Sequence, residues 1–258
     1  MTHSLPRLLP PRERSCKICS AQAPVYGAID FYKSRKEWKN YAPPQSGDMV
    51  FYNKCPNCGF LFSSSFDQWT HDDFSEFVYN EFYPRIDASA QEERPTSNAN
   101  HIHALFETYK NSISILDYGS GNGNLETKLR ERGFSDTSSF DPFYKSNPIG
   151  DRKFDLILCY EVLEHTTTPT KTVESIVEKL NKDGVVIFST ETQPDDIDER
   201  GLFWWYVSPR AGHISIHSRQ SLTLLWANFG YKVASFYSGL HIAYNTAPPF
   251  AKQLLGEQ

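Results

Sequence analysis

This sequence predicts an α/β fold: an open, mostly parallel sheet with helices on both faces, preceded by a small cysteine-built module. Three observations predict it. Ile113 to Leu116 is a short apolar, β-branched run that passes through Asp117 into three alternating glycines and then a helical pattern, the strand-turn-helix opening of a doubly wound sheet. Phe154 to Tyr160 is a second apolar run of strand length, followed by a helical stretch and a further run at Val185 to Thr190, an alternation that calls for parallel strands with helical crossovers. Ahead of these stand two Cys-x-x-Cys pairs, Cys16/Cys19 and Cys55/Cys58. The expected boundaries are a cysteine-built ribbon over 1–65, a helical linker over 66–112 and the α/β domain over 113–258.

Bulk properties narrow the function. A chain of 258 residues with 39% apolar content suffices for one α/β domain and a small appendage. With 26 basic against 31 acidic residues, the formal charge of −5 argues against a nucleic-acid backbone as the main partner. There is no apolar run long enough to span a bilayer, and Met1 to Arg14 lacks the apolar core of a secretory signal. A cytoplasmic protein without a membrane partner is therefore expected. In that reducing compartment its cysteines point to metal before disulfides.

Taken in order, residues 1 to 14 read as a loosely ordered leader rich in Pro and Arg. Cys16-Lys17-Ile18-Cys19 and Cys55-Pro56-Asn57-Cys58-Gly59 are two knuckles, and four thiolates from such a pair of pairs make a closed tetrahedral zinc site. Iron, a redox dithiol or unrelated surface thiols are the competing readings. Between the knuckles, Asp30 to Lys39 is charged and aromatic, Tyr41 to Gly47 is a Pro/Gly loop, and Met49 to Lys54 alternates like a strand. A ribbon of this size buries too little to fold alone, so metal replaces a missing core. From Asp67 to Phe82 aromatic residues recur at helical spacing, which predicts a short amphipathic helix. Packing is the ordinary role of such a stripe; Tyr79 and Tyr83 are also candidates for a ligand pocket. Gln91 to Asn98 is polar and broken by proline, and His101 to Tyr109 resumes a helical pattern.

The helix after the glycines should run from about Asn124 to Gly133. Thr137 to Phe140 is a short strand ending at Asp141-Pro142, about two dozen residues beyond Asp117, where a doubly wound fold presents a carboxylate to ribose hydroxyls; a turn-forming Asp-Pro is the alternative. Only about a dozen residues separate Asp141 from Phe154, too few for the usual helix and strand. Cys159 reads as an inert core thiol. A helix over about Thr170 to Leu180, a turn at Asn181 to Gly184 and the strand Val185 to Thr190 follow. Residues 191 to 217 form an insertion whose Trp204, Trp205 and Tyr206 suit either core packing or an apolar wall over an acceptor. A helix over Ser218 to Phe229 and strands at Tyr231 to Tyr237 and Leu240 to Asn245 complete the domain.

The glycine pattern separates two cofactor classes. A dinucleotide fingerprint requires Gly-x-Gly-x-x-Gly, and its third glycine is replaced here by Asn124. Ile115-Leu116-Asp117-Tyr118-Gly119-Ser120-Gly121-Asn122-Gly123, the acid at Asp141 and Glu161-Val162-Leu163-Glu164-His165 together resemble the class I S-adenosylmethionine (SAM) methyltransferases over residues 113 to 245. The resemblance implies a Rossmann-like sheet and a SAM site built from Asp117, Gly119, Gly121, Gly123 and Asp141, with Tyr79 and Tyr83 as further candidates. Asp117 then lies near the amino-acid end of SAM and Asp141 on the ribose. The order of knuckles, aromatic linker and SAM domain is similar to bacterial methyltransferases with an N-terminal zinc ribbon, among them sugar C-methyltransferases. Glu161-x-x-Glu164-His165 also resembles the metal-binding segment of ubiquinone-pathway O-methyltransferases and of small-RNA terminal 2′-O-methyltransferases. In the latter a further histidine follows the fifth strand, and its match here is His213.

Chemistry leads to the same residues. Glu161, Glu164 and His165 follow directly on a central strand, at the carboxyl edge where ligands sit. Joined by His213, they can hold Mg²⁺ or Mn²⁺ and activate an acceptor hydroxyl. Alternatively His165 acts as general base, or Glu164 and His165 merely fasten the strand to the next helix. The expected function is methyl transfer from SAM to a hydroxyl, less readily a carbon, of a small polar metabolite such as a sugar conjugate. Terminal RNA 2′-O-methylation and a zinc-ribbon interaction protein with a degenerate SAM domain are the alternatives.

Overall fold

The computed structural model describes residues 5–6, 8–33, 44–143 and 149–256. In chain order the strands and α-helices open with β1 (Arg14–Ser15), β2 (Gln22–Ala23), β3 (Val25–Asp30), β4 (Met49–Lys54), β5 (Leu61–Ser63), α1 (His71–Phe77), α2 (Tyr83–Ile86) and α3 (Glu93–Phe106). There follow β6 (Ile115–Tyr118), α4 (Asn124–Glu131), β7 (Thr137–Phe140), β8 (Phe154–Tyr160), α5 (Pro169–Glu178) and β9 (Leu180–Ser189). The chain closes with α6 (Ile197–Arg200), β10 (Ser215–Ile216), α7 (Arg219–Ala227), β11 (Lys232–Tyr237), β12 (Leu240–Tyr244) and α8 (Lys252–Leu255). They form two compact units that interleave along the chain, one over 1–88, 163–170 and 191–225 and the other over 89–162, 171–190 and 226–258. Sequence boundaries therefore do not coincide with packing boundaries: the insertion after β9 joins the ribbon.

In the first unit β1 and β2 pair antiparallel, and a separate antiparallel sheet has the order β10-β5-β4-β3. The insertion enters that sheet through β10, with Ser215 opposite Phe62 and Ile216 opposite Leu61. Phe31, Tyr52, Phe66, Trp69 and Phe74 bury against Leu202, Trp204 and Tyr206 of the insertion. This corrects the picture of an apolar wall for Trp204 and Tyr206, which are core residues. The aromatic stripe is interrupted: α1 starts on a Thr70–Asp73 capping box and stops at Phe77, and Pro84 opens the separate α2. Edge contacts of Trp69 with Phe66 at 4.8 Å and with Phe74 at 5.3 Å identify this part of the stripe as packing. Of the sequence between the knuckles, residues 34–43 lie outside the described set.

The second unit is built on a six-stranded sheet of order β11-β12-β9-β8-β6-β7. Strands β7, β6, β8 and β9 run parallel, and β12 lies antiparallel between β9 and β11. This is the open, mostly parallel sheet that the sequence predicts, with β12 as its antiparallel member. Its central strands are continuous apolar runs because both faces are covered, one of them by Ala99, Ile102 and Phe106 of α3. Helix α3 begins at Glu93 rather than after the polar stretch: Pro95 sits in the first turn, where a helix lacks acceptors for its N–H groups anyway. Strand β9 begins at Leu180, and Asn181 to Gly184 form an irregularity within it, since Phe154 pairs with Leu180 but Leu156 with Val185. Among the described residues no helix or strand lies between β7 and β8, so β7 is the sheet edge. No helix among them is long and apolar enough to cross a membrane.

Candidate functional site

Two knuckles bring the four cysteines of the first unit together. The Cys16 amide donates to the Ala21 carbonyl at 2.8 Å and the Cys55 amide to that of Phe60 at 2.8 Å, so each loop closes on itself. Gly59 has φ +71, and a Cβ there would stand 3.1 Å from the Ser218 hydroxyl, which donates to the Cys58 carbonyl at 2.6 Å. Sulfur separations are 3.6 Å for Cys16–Cys58, 3.4 Å for Cys19–Cys55 and 3.7 Å for Cys19–Cys58. A tetrahedron with metal–sulfur bonds of about 2.3 Å has edges of about 3.8 Å, whereas a disulfide needs about 2.05 Å. The set therefore fits a closed zinc site. The contact with Cys58 draws the Cys16 thiol down, while the same contact and burial push Cys58 up.

In the second unit, β6 delivers Asp117 to the glycine turn. Gly119, Gly121 and Gly123 all have positive φ, at +79, +54 and +77, so three left-handed residues turn the chain from strand to helix. They are not equivalent. A Cβ on Gly119 would fall 2.3 Å from Val162 Cγ2, whereas a Cβ on Gly121 would meet nothing within 4 Å; the first glycine serves packing and the second leaves open space. Asp141 fastens the turn, its carboxylate accepting from the amides of Gly121 at 2.8 Å and Phe143 at 2.7 Å. Asp117 is only 4% exposed, and its Oδ2 is buried without a hydrogen-bond partner. Burial first, then the Asp141 and Glu126 carboxylates, pushes its pKa up to about 8. A buried acid with an unused oxygen beside a bare backbone cradle fits an amine-bearing ligand. Two contacts hold the start of α3 to this edge: Asn124 Nδ2 donates to the Gln91 carbonyl at 2.6 Å, and Arg94 Nη1 to Glu161 Oε2 at 3.0 Å.

The acid–histidine residues divide. Ligand atoms of Glu164, His165 and His213 lie within 4.8 Å of one another, in the first unit. Glu161 is not of this group: it takes a left-handed φ of +54, and its carboxylate accepts from Arg94 and, at 2.8 Å, from the Ser189 hydroxyl. The backbone carbonyl of fully buried Glu164 accepts from the amides of Ile214 and Ser215, both at 2.9 Å, which ties the insertion to the motif. Tyr206 orients the cluster at two points. Its hydroxyl donates to Glu164 Oε1 at 2.8 Å, and its carbonyl lies 2.8 Å from His213 Nδ1. A carbonyl can only accept, so Nδ1 carries a proton and Nε2 is the nitrogen left for a metal in the neutral tautomer, as in a metal-ligating histidine. The His165 and His213 rings meet edge-on at 4.9 Å. Gly212 permits this, since at φ +85 its Cβ would fall 2.8 Å from His165 Nδ1. Tyr79 packs on His165 at 6.0 Å and on Tyr83 at 5.2 Å.

Sequence reasoning missed Arg94 and the orienting role of Tyr206. Neither carries a local signal, because each meets its partner only through long-range packing; Gly212, directly before His213, was the one visible hint.

A family model described as a methyltransferase domain matches residues 90–235. The ubiquinone biosynthesis O-methyltransferase of Rickettsia conorii is 27% identical over 114 residues, 34% of this chain and 39% of that protein. Its counterpart from Rickettsia bellii is 28% identical over 116 residues, 35% of this chain and 48% of that one. The matched stretch thus spans less than half of either relative. Among solved structures, an O-methyltransferase family protein from Burkholderia thailandensis superposes with a TM-score of 0.48 at 14% identity, covering 71% of this chain and 62% of that one. The magnesium protoporphyrin IX methyltransferase of Synechocystis PCC 6803, solved with bound SAM, gives 0.43 at 15% identity, with coverages of 70% and 94%.

Proposed function

The chain belongs to the methyltransferase-domain family, and on that premise we propose that it is a SAM-dependent O-methyltransferase acting on a hydroxyl of a small polar metabolite. One observation carries the donor assignment: the buried Asp117 carboxylate with its unused Oδ2 at the end of β6, beside the open backbone of Gly121. Asp117 receives the ammonium of SAM, Gly121 lets the ligand lie against bare backbone, and Asp141, which holds the turn, is the partner of the ribose. Gly119 and Gly123 shape the turn. Bound SAM supplies an electrophilic methyl on a sulfonium. The four cysteines hold one structural zinc.

A neutral alcohol is a poor nucleophile until it loses its proton or binds a cation. Glu164, His165 and His213 are the residues that meet this need, with Tyr206 fixing two of them and Tyr79 backing the third. With Glu161 engaged by Arg94 and Ser189, the ligand set is two imidazoles and one carboxylate, a softer set than Mg²⁺ prefers and better suited to Mn²⁺ or another first-row ion. Such a cation would lower the pKa of an acceptor hydroxyl. If His165 instead works alone as base, chelation leaves turnover intact and only His165→Ala abolishes it.

The ubiquinone-pathway relatives support oxygen as the acceptor atom, and a sugar or sugar conjugate is one candidate class. Incubation of zinc-replete protein with methyl-labelled SAM and a fractionated cell extract tests the reading. Label in an alkali-stable small-molecule product supports it; label confined to RNA transfers the assignment to terminal 2′-O-methylation, and no enzyme-dependent label in any fraction opposes it.

A further inference from the structure

We infer that the Tyr160 hydroxyl is a further cofactor-binding group, which acts with Asp117 to read the α-amino-acid end of the methyl donor. The inference rests on the proposed SAM site of the second unit. Tyr160 ends β8, the strand beside β6. Ile115 pairs with Leu156 and Asp117 with Leu158, so Tyr160, two residues further on, points to the same face of the sheet as Asp117. Along that face Ile115, Leu156, Leu158, Val185 and Ile187 form continuous core. The apolar pattern then breaks at the carboxyl edge, where both strands place a polar side chain.

Both of those side chains carry a buried atom without a hydrogen-bond partner, Asp117 Oδ2 and the Tyr160 hydroxyl. Each such orphan disfavours the ligand-free fold, and phenylalanine would fill the same space at Tyr160 without that cost. Two orphans on one face, at the edge of the sheet where ligands bind, point to a ligand that satisfies both. Their needs are opposite. An ionised carboxylate only accepts, while burial, followed by the Asp117 and Tyr237 groups, pushes the Tyr160 phenol well above its ordinary value and keeps it a donor. An ammonium beside a carboxylate, as in an α-amino acid, meets both needs. A plain amine would leave the phenol proton unused.

Calorimetric titration of the zinc-replete protein and its Tyr160→Phe variant, with S-adenosylhomocysteine (SAH) and with 5′-methylthioadenosine, tests this. The second ligand lacks the amino-acid end. Tyr160→Phe is expected to weaken SAH by about tenfold to a hundredfold, the worth of a hydrogen bond to a charged group. It should leave methylthioadenosine affinity unchanged and the melting temperature of the ligand-free protein unchanged or raised. Equal SAH affinity in both proteins, or an equal loss for both ligands, overturns the inference while leaving the SAM site in place. A parent protein that binds no SAH removes the reading beneath it.

Discussion

Asp117 shows how one side chain can be costly to the empty protein and useful to the loaded one. Its pKa is raised to about 8, so it is largely protonated at neutral pH and must ionise to receive an ammonium. Binding of SAH at pH 7 should therefore release close to one proton, measured as a dependence of the binding enthalpy on buffer ionisation, and Asp117→Asn should abolish that dependence. The same shift acts on stability. The folded value lies above the unfolded one of about 3.9, so the contribution is full below that value and is lost as pH rises through about 8. Ligand-free protein should lose stability between pH 5 and pH 9 more steeply than Asp117→Asn, as read by denaturant midpoints. Tyr206 is the second informative residue, because its phenol holds Glu164. Tyr206→Phe leaves a buried carboxylate short of a donor and should destabilise the fold by about 1–3 kcal/mol. It should also weaken Mn²⁺ binding, read by paramagnetic relaxation.

At the scale of elements, the strand-glycine-helix segment and the knuckles were legible because their chemistry is local. Strand β8 runs from Phe154 to Tyr160, the bounds of the apolar run, and α4 starts at Asn124 where the glycines end. What stayed hidden depends on distant partners. Two-residue β10 has no periodicity to detect, and its identity as a strand comes from Leu61 and Phe62. Glu161 looked equivalent to Glu164 until the left-handed backbone and Arg94 turned it elsewhere. Gly119 stands among the SAM-site glycines by pattern, and Val162 makes it a packing requirement as well. Gly119→Ala should accordingly cost about 2–4 kcal/mol from overpacking and a strained φ. Val162→Ala in the same chain should recover part of that in thermal unfolding.

The whole molecule is two cores threaded by one chain, and the sequence order of ribbon, linker and sheet conceals that residues 191–225 return to the ribbon's unit. Within that unit the Cys55 amide closes its knuckle on the Phe60 carbonyl directly before β5, β5 pairs with β10, and the Tyr52 hydroxyl donates to the His213 carbonyl at 2.7 Å. Replacing Cys55 and Cys58 by Ser should thus abolish zinc in elemental analysis and weaken Mn²⁺ binding at the acid–histidine cluster. The donor site, which belongs to the second core, should be affected less. That donor site is the centre of the account, and calorimetric titration of zinc-replete protein with SAH tests it most directly. Saturable binding at one site per chain is expected, lost in Gly121→Val while zinc content stays unchanged. Absence of binding to the parent protein, or native affinity in Gly121→Val, would contradict it.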